Sequence, residues 1–257
     1  MYESRIVGRV IPALAVLLFL LAALFAANAR ADALSDLRAA LAGLDGQAPV
    51  HATLELKSTT VNKKENGGKP QSAEAQLDVE AGDCLSVHVE QGTLQQAATE
   101  LAAATTNAGH PTPTVALLNR SVDPLVLEHL LAEGPNLLRK LAPATAASEK
   151  SAMLWGRPAR EITVTLPAPK SSEFKLRDFS DEFSIWLGAD GVPVAATEQT
   201  QGKGCMLFLC MQVAESTSYT LQVVAKRLIA TRLTVEHKQS GLGQDSDTHT
   251  TYVLQIQ

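Results

Sequence analysis

Histidine and cysteine are the side chains of this sequence that could bind a metal ion or carry redox chemistry. The chain has six histidines and three cysteines. None of them forms an H-x-H, HExxH or C-x-x-C pattern, the spacings that place such side chains around one ion or in one redox pair. The sequence therefore predicts neither a metal site nor a cofactor.

Two further patterns could carry catalysis. Ser172 and Lys175 fit S-x-x-K, the serine nucleophile pattern of penicillin-recognising enzymes. They lie in a Pro/Ser-flanked stretch rather than at the start of a helix, and the companion S-D-N and K-T-G motifs are missing. Asp181 and Glu182 are adjacent on a predicted strand, so their carboxylates face opposite sides of the sheet. We therefore predict that the chain is not an enzyme.

The cysteines, Cys84, Cys205 and Cys210, allow one disulfide and one leftover thiol in an oxidising compartment. On a single extended strand Cys205 and Cys210 would lie about 16 Å apart, whereas a disulfide needs Cα atoms within ~7 Å. Pairing them requires a turn, and residues 206–209 include no typical turn residue. The spacing favours a bond between Cys84 and one of the other two, with the third buried as a small apolar filler.

The amino-terminal segment has the composition of an export signal. Arg5 and Arg9 precede an apolar run over residues 11–27, and Ala29 and Ala31 form an A-x-A cleavage pattern. We predict a signal peptide over 1–31 and a single exported, periplasmic or otherwise secreted domain over 32–257. The alternative is an uncleaved anchor, since the run approaches the length that crosses a ~30 Å hydrocarbon core; only then would the protein contact a membrane. The formal net charge of -5 argues against a nucleic-acid partner.

Hydrophobic periodicity predicts the elements that follow. A short amphipathic helix is expected at 33–43, and two-residue alternation from Val50 to about residue 90 predicts three antiparallel strands joined by short turns. The aliphatic middle third predicts helices, with Thr93 and Asp123 as N-caps. Strands resume at Arg160 and continue to the carboxyl end. The predicted fold class is α+β: a curved antiparallel sheet, an incomplete barrel, whose apolar face is covered by the helical insert.

Several turn residues make this prediction more specific. Gly134-Pro135 is expected to stop the helix that begins after Asp123, and Asp190-Gly191 to form a hairpin turn. Pro193 suggests a free strand edge, and residues 239–247 a polar loop between the last two strands. Trp155 is expected to be a core anchor.

Two stretches carry a family resemblance. Residues 35–44 followed by 51–54, and residues 183–199 with Asp190-Gly191 inside them, resemble the opening helix and strand and the late hairpin of the LolA-like periplasmic lipoprotein carriers and receptors. That resemblance implies an incomplete antiparallel barrel whose apolar face is closed by helices and receives acyl chains. The aliphatic middle section departs from those carriers.

These observations lead to a functional hypothesis. A bent sheet and an aliphatic cover can separate to expose an apolar pocket at little polar cost. We expect a non-enzymatic exported protein that binds a hydrophobic ligand, an acyl chain or lipidated peptide, with a lipid or lipoprotein as partner. The alternative is an envelope interaction or sensor protein with a filled core, whose partner is another envelope protein. The candidate ligand-binding residues lie on the apolar side of their own segments: Leu54, Leu77, Leu127, Leu131, Val164 and Ile185.

Overall fold

A computed structural model describes residues 33–64, 66–82, 84–168, 175–206, 209–241 and 244–257. It confirms the α+β class: these residues form five α-helices and a ten-stranded antiparallel sheet that is not closed into a barrel. The predicted signal peptide lies outside the described residues. Within them, no helix combines the length and the apolar composition needed to cross a bilayer.

The helices and strands follow one another in three blocks. The first block is α1 (33–42), β1 (Val50–Asn62), β2 (Pro70–Ala81) and β3 (Leu85–Val89). The helical segment is α2 (Gln91–Thr106), α3 (Pro113–Ser121), α4 (Pro124–Leu131) and α5 (Glu133–Leu141). The last block is β4 (Ser148–Leu154), β5 (Arg157–Thr165), β6 (Lys175–Leu187), β7 (Pro193–Met206), β8 (Leu209–Val224), β9 (Arg227–Gly241) and β10 (Gln244–Ile256).

The strand order is β3-β2-β1-β10-β9-β8-β7-β6-β5-β4. The first and last strands of the chain are therefore neighbours inside the sheet, while β3 and β4 form its two edges. The helical segment from α2 to α5 connects these two edge strands. The other consecutive strands pair with each other antiparallel, and β1 also pairs with β10.

One face of the sheet, here called the inner face, carries the apolar core. Because paired Cα atoms in a sheet place their side chains on the same side, the register defines a transverse row from β5 to β2. All eight side chains of this apolar row are at most 7% exposed. The apolar row is Ile162, Ile185, Ala196, Tyr219, Leu233, Tyr252, Leu56 and Ala75.

The helices share this core. Helix α3 contacts β1 and β2, and α4 and α5 contact β9. Leu37 of α1, Leu130 of α4 and Leu141 of α5 are fully buried in the same cluster as the apolar row. Arg38 of α1 also donates to the carbonyl oxygens of Leu141 and Ala144, at 2.6 and 2.8 Å. Each fully buried leucine contributes about 1.5–3 kcal/mol to the free energy of folding.

The helix boundaries confirm one predicted cap and correct two others. Asp123 Oδ1 accepts a hydrogen bond from the Leu125 N–H at 2.9 Å, as expected of an N-cap. Thr93 is not a cap, because α2 already begins at Gln91. Gly134-Pro135 does not stop a helix but lies in the first turn of α5. A Cβ at Gly134 would lie 2.6 Å from the Leu44 carbonyl oxygen, so this glycine permits the close approach of α5 to the end of α1.

The strand at one edge of the sheet escaped prediction. Residues 148–154 form β4, although their sequence shows no clear alternation. The prediction that Trp155 is a core anchor is wrong: this residue is 66% exposed and lies at the turn between β4 and β5. Trp155 and Gly156 have φ values of 49° and 77°, the left-handed pair of a two-residue hairpin. The turn geometry therefore directs the indole outward.

Two turn predictions also need correction, whereas Asp190-Gly191 forms the β6–β7 turn as expected. Pro193 does not mark a free edge: it is the first residue of β7, an interior strand, beside a register shift in the β6–β7 pairing. Residues 239–247 are not a loop, because Gln239 pairs with Ser246 and the strands run to Gly241 and from Gln244. A polar sequence on both faces concealed these strand ends.

The predicted disulfide pairing is wrong. The bond joins Cys205 to Cys210, which are cross-strand partners in the β7–β8 hairpin with Cα atoms 4.2 Å apart. Cys84 is exposed and free. Met206 and Leu209 are themselves cross-strand partners, although residues 206–209 include no typical turn residue. The sequence spacing therefore favoured a different pairing.

Candidate functional site

Four residues along the strands from the apolar row, the side chains of the inner face are polar instead of apolar. The register there aligns a second row, here called the polar row, about 13 Å from the first. The polar row consists of Asp181, Thr200, Glu215, His237, Thr248 and Thr60.

Neighbours in the polar row hydrogen-bond in pairs. Thr200 Oγ1 donates to Asp181 Oδ1 at 3.2 Å. His237 Nδ1 and Glu215 Oε2 are 3.1 Å apart, and the hydroxyl oxygens of Thr60 and Thr248 are separated by 3.1 Å. The row is thus a set of cross-strand polar pairs, the arrangement by which a partly buried polar surface satisfies its own groups.

A cavity of 590 Å³ lies between the polar row and the α3–α4 region. This volume is within the range of about 300–1,000 Å³ that is typical of sites for small ligands. Val126, Val235 and Tyr252 supply its apolar wall. The rest of the lining is polar: Thr60, Asn62, Arg120, Asp123, Glu215, His237, Gln239, Ser246, Thr248 and Thr250. The cavity therefore has both an apolar and a charged side.

Two of the charged groups in this cavity are engaged by neighbours. Asp123 caps α4, and Glu215 pairs with His237. Arg120, near the end of α3, is exposed and makes no hydrogen bond or ion pair with any residue that the structure describes. Burial raises the pKa of Tyr252, and the positive charge of Arg120 opposes that rise. Arg120 and Tyr252 line the same cavity.

Between the two rows, α5 is joined to the sheet by charge. Lys140 of α5 pairs with Glu198 of β7, and its ammonium lies 5.6 Å from the centre of the Phe183 ring. Both partners of the ion pair are largely shielded from solvent. Burial raises the pKa of Asp181, and the charge of Glu198 adds to that rise. The pair therefore holds α5 beside a group of acidic side chains.

A second titratable group of α5 is more deeply buried. Glu133 is 1% exposed, and its Oε2 lies 3.3 Å from Nδ1 of His129. Burial raises the pKa of the Glu133 carboxyl, although His129 and Lys140 act against that rise. Among the described residues no group of three His, Cys, Asp or Glu side chains could hold a metal ion.

The six sequence-predicted ligand residues are brought together, but not on this cavity. All are at most 3% exposed and belong to one packed cluster. Leu54 and Leu77 are cross-strand partners. Val164 and Ile185 lie on the neighbouring strands β5 and β6, and Leu127 and Leu131 belong to α4. None of the six lines the 590 Å³ cavity. Their ligand contact stays a prediction, and it requires the helices to move away from the sheet.

Sequence reasoning did not single out the residues that line the cavity. Glu215 and His237 are on neighbouring strands, but their pairing depends on a register that alternation alone does not provide. Arg120 lies in a stretch for which no helix was predicted. One sequence signal was available: the face of β1 that carries apolar residues up to Leu56 continues with Ser58 and Thr60, which indicates a polar region on that face. The Ser172 motif falls outside the described residues.

A second cavity, of 520 Å³, lies at the opposite ends of the strands. It borders the β4–β5 hairpin and the β6–β7 turn and includes Met153, Pro158 and Ala159. Met153 and Trp155 are both about two-thirds exposed, an uncommon position for large apolar side chains. This region offers an apolar surface beside an edge strand.

Comparison with known proteins adds no relative: no family model, curated protein or solved structure matches the chain.

Proposed function

We propose that this is an exported, non-enzymatic protein that binds an acyl chain, of a lipid or of a lipidated peptide, between its open sheet and the helical segment from α2 to α5. In this proposal the helices cover the apolar face. The observation that supports it most directly is the 590 Å³ cavity, in which the apolar wall of Val126, Val235 and Tyr252 faces polar and charged groups. The LolA-like resemblance of the sequence points the same way.

An acyl chain suits this wall because its binding needs area rather than directed hydrogen bonds. Tyr252 belongs both to the cavity lining and to the apolar row. An acyl chain that enters the cavity would therefore reach the edge of the hydrophobic core. Its polar end would remain among the threonines and charged groups of the polar row, where hydrogen-bonding partners are available.

Deeper insertion would use the six sequence-predicted residues. Leu127 and Leu131 of α4 are packed in the same cluster as Leu54, Leu77 and Ile185. Contacts of α4 with the sheet are made mainly to β9, and α4 is only eight residues long. A short helix with one main strand contact can be displaced at less cost than a long one, because less apolar surface is exposed.

Native mass spectrometry of residues 32–257, purified without detergent, tests the proposal. We expect a co-purifying lipid, or saturable binding of a fluorescent acyl probe. Val235→Glu places a charge on the apolar wall and should weaken probe binding at least tenfold, because an unpaired carboxylate there loses its hydration. Val61→Glu is the matched control, since Val61 lies on the other face of β1. A protein that carries no lipid and excludes the probe contradicts the proposal.

The exposed hairpin supports a second candidate, an envelope interaction or sensor protein with a filled core. Met153 lies in the edge strand β4 and lines the 520 Å³ cavity, and Trp155 follows β4 at its turn into β5. Exposed apolar residues of this kind are typical of protein contact sites. The control is Trp186→Phe, a substitution in the interior strand β6. Ligand-free protein in the mass measurement, together with loss of a partner contact in Trp155→Ser but not in this control, would favour the second candidate.

A further inference from the structure

We propose that Arg120 recognises the head group of the bound lipid, and that the ligand is a single-chain amphiphile with a monoanionic head, a long-chain carboxylate. This inference rests on the proposed function, since it assigns a head-group site to the same 590 Å³ cavity. It follows from the distribution of partners among the charged lining residues.

Three Arg, Asp or Glu side chains line the cavity, and Arg120 is the one among them that has no hydrogen-bond or ion-pair partner in the described part of the chain. The other two, Asp123 and Glu215, are used by the α4 cap and by His237. An arginine that borders a partly apolar space gains most from a ligand that brings a carboxylate or phosphate, because its planar donors bind both oxygens of such a group.

The position of Arg120 also fits a head group beside an acyl chain. It borders the 590 Å³ cavity near Tyr252 and also a smaller cavity of 210 Å³, which contains Ala73 and Leu117. Thr60 lines both spaces. The guanidinium therefore lies where two partly apolar cavities meet. A head group bound to it would place the acyl chain of the ligand next to apolar side chains.

The same cavity argues for one negative charge rather than two. The carboxylates of Asp123 and Glu215 line the same space as Arg120. Each repels an anionic ligand. A phosphate monoester with nearly two charges doubles its repulsion by these two carboxylates as well as its attraction to the one guanidinium, so a head with a single charge is penalised less. In the Thr60–Thr248 pair, the hydroxyl that accepts the mutual hydrogen bond keeps its own proton and can donate it to a carboxylate oxygen that the arginine leaves free.

A series of ligands with one chain and different heads tests the inference at neutral pH. Dodecanoate, dodecanol, dodecyl phosphate and dodecylammonium are used to displace the fluorescent acyl probe from the wild-type protein. We expect dodecanoate to bind about fivefold more tightly than dodecanol, because Arg120 is exposed and solvent weakens its ion pair. Dodecyl phosphate and dodecylammonium should bind more weakly than dodecanoate.

Two variants test whether Arg120 causes the preference for dodecanoate over dodecanol. Arg120→Gln should bind dodecanoate and dodecanol equally while dodecanol keeps its wild-type affinity. Arg157→Gln is the matched control, an exposed arginine at the β4–β5 turn that does not line the cavity. It should keep the fivefold preference. If Arg120→Gln does not fold, Arg120→Lys should retain part of the preference, because lysine keeps the charge but not the two-pronged geometry.

The outcomes separate this inference from the proposed function. Equal binding of dodecanoate and dodecanol by the wild-type protein overturns the head-group site and leaves acyl binding intact. Tighter binding of the phosphate or the ammonium compound, or an unchanged preference in Arg120→Gln, also overturns it. A wild-type protein that binds none of the four compounds and no probe overturns both the proposed function and the inference.

Discussion

The apolar row and the polar row lie on the same face of the same strands, four residues apart, yet they are stabilised differently. The apolar row is at most 7% exposed and shares its cluster with leucines of the helices. The polar row borders a cavity and satisfies itself by cross-strand hydrogen bonds such as Thr60–Thr248. Alternation along a strand thus identifies a face, whereas helix contacts decide which part of that face becomes core.

Shortening a side chain of the apolar row should produce the largest loss of stability. Ile185→Ala should lower the free energy of unfolding by about 3 kcal/mol, because it removes buried methyl groups and leaves a cavity. Thr248→Val, its counterpart in the polar row, should cost at most about 1 kcal/mol, the value of one neutral hydrogen bond. Urea denaturation measures both. Equal losses would show that the two rows do not differ in this way.

The sequence predicted the apolar half of the fold better than the polar half. Alternation from Val50 to Leu56 marks one buried face, and β1 and β2 indeed pair Leu54 with Leu77. Beyond Ser58 every residue of β1 except Val61 is polar, so alternation no longer distinguishes a strand from a loop. The β9–β10 ends were missed for the same reason.

The candidate site could not be predicted because it depends on strand register, and the disulfide could not be predicted because no turn residue indicates its hairpin. His237 and Glu215 meet only when β8 and β9 pair in one particular alignment. The Cys205–Cys210 bond likewise depends on the pairing of Met206 with Leu209, in a stretch that includes no typical turn residue. Two local signals gave correct predictions: Asp123-Pro124 marked the start of α4, and Asp190-Gly191 marked the β6–β7 turn.

The ion pair between the two rows should have the next largest effect. Lys140→Met leaves Glu198 shielded from solvent without its cation and should cost about 2 kcal/mol, less than a fully buried pair. Glu198→Gln in the same chain should recover most of that loss, because the isolated charge is removed. A double-mutant cycle of thermal or urea unfolding gives the coupling. Losses that simply add would mean that the two side chains do not stabilise each other.

The disulfide closes the polar end of the β7–β8 hairpin, where the apolar core does not reach. Replacing both Cys205 and Cys210 by Ser should cost about 2 kcal/mol, the chain-entropy value for so short a loop. Cys84→Ser is the control and should be neutral, because this exposed thiol is free. Hydrogen exchange should increase near Met211 and Gly204 but remain unchanged at Ile185. A native protein that titrates no thiol would contradict the assignment of Cys84.

The smallest effect expected is a change in pH dependence at Glu133, beside the apolar row. Burial raises the pKa of its carboxyl in the folded protein, so folding is favoured while the group is protonated. This contribution is fully present below the unfolded pKa, near 4.5, and is lost as the pH rises through the folded value. Glutamine has no such proton. The stability of Glu133→Gln relative to the wild type should therefore increase from acid to neutral pH.

Urea unfolding of both proteins at a series of pH values measures this difference directly. Glu74→Gln is the control: Glu74 is an exposed carboxylate paired with Lys57 on the other face of the sheet, and its difference from the wild type should change little with pH. Because His129 contacts Glu133, the comparison is repeated in a His129→Gln background. A relative stability of Glu133→Gln that falls as the pH rises, in both backgrounds, would mean that the ion pair outweighs the cost of burial, and that this end of α5 is held by charge like its Lys140 end.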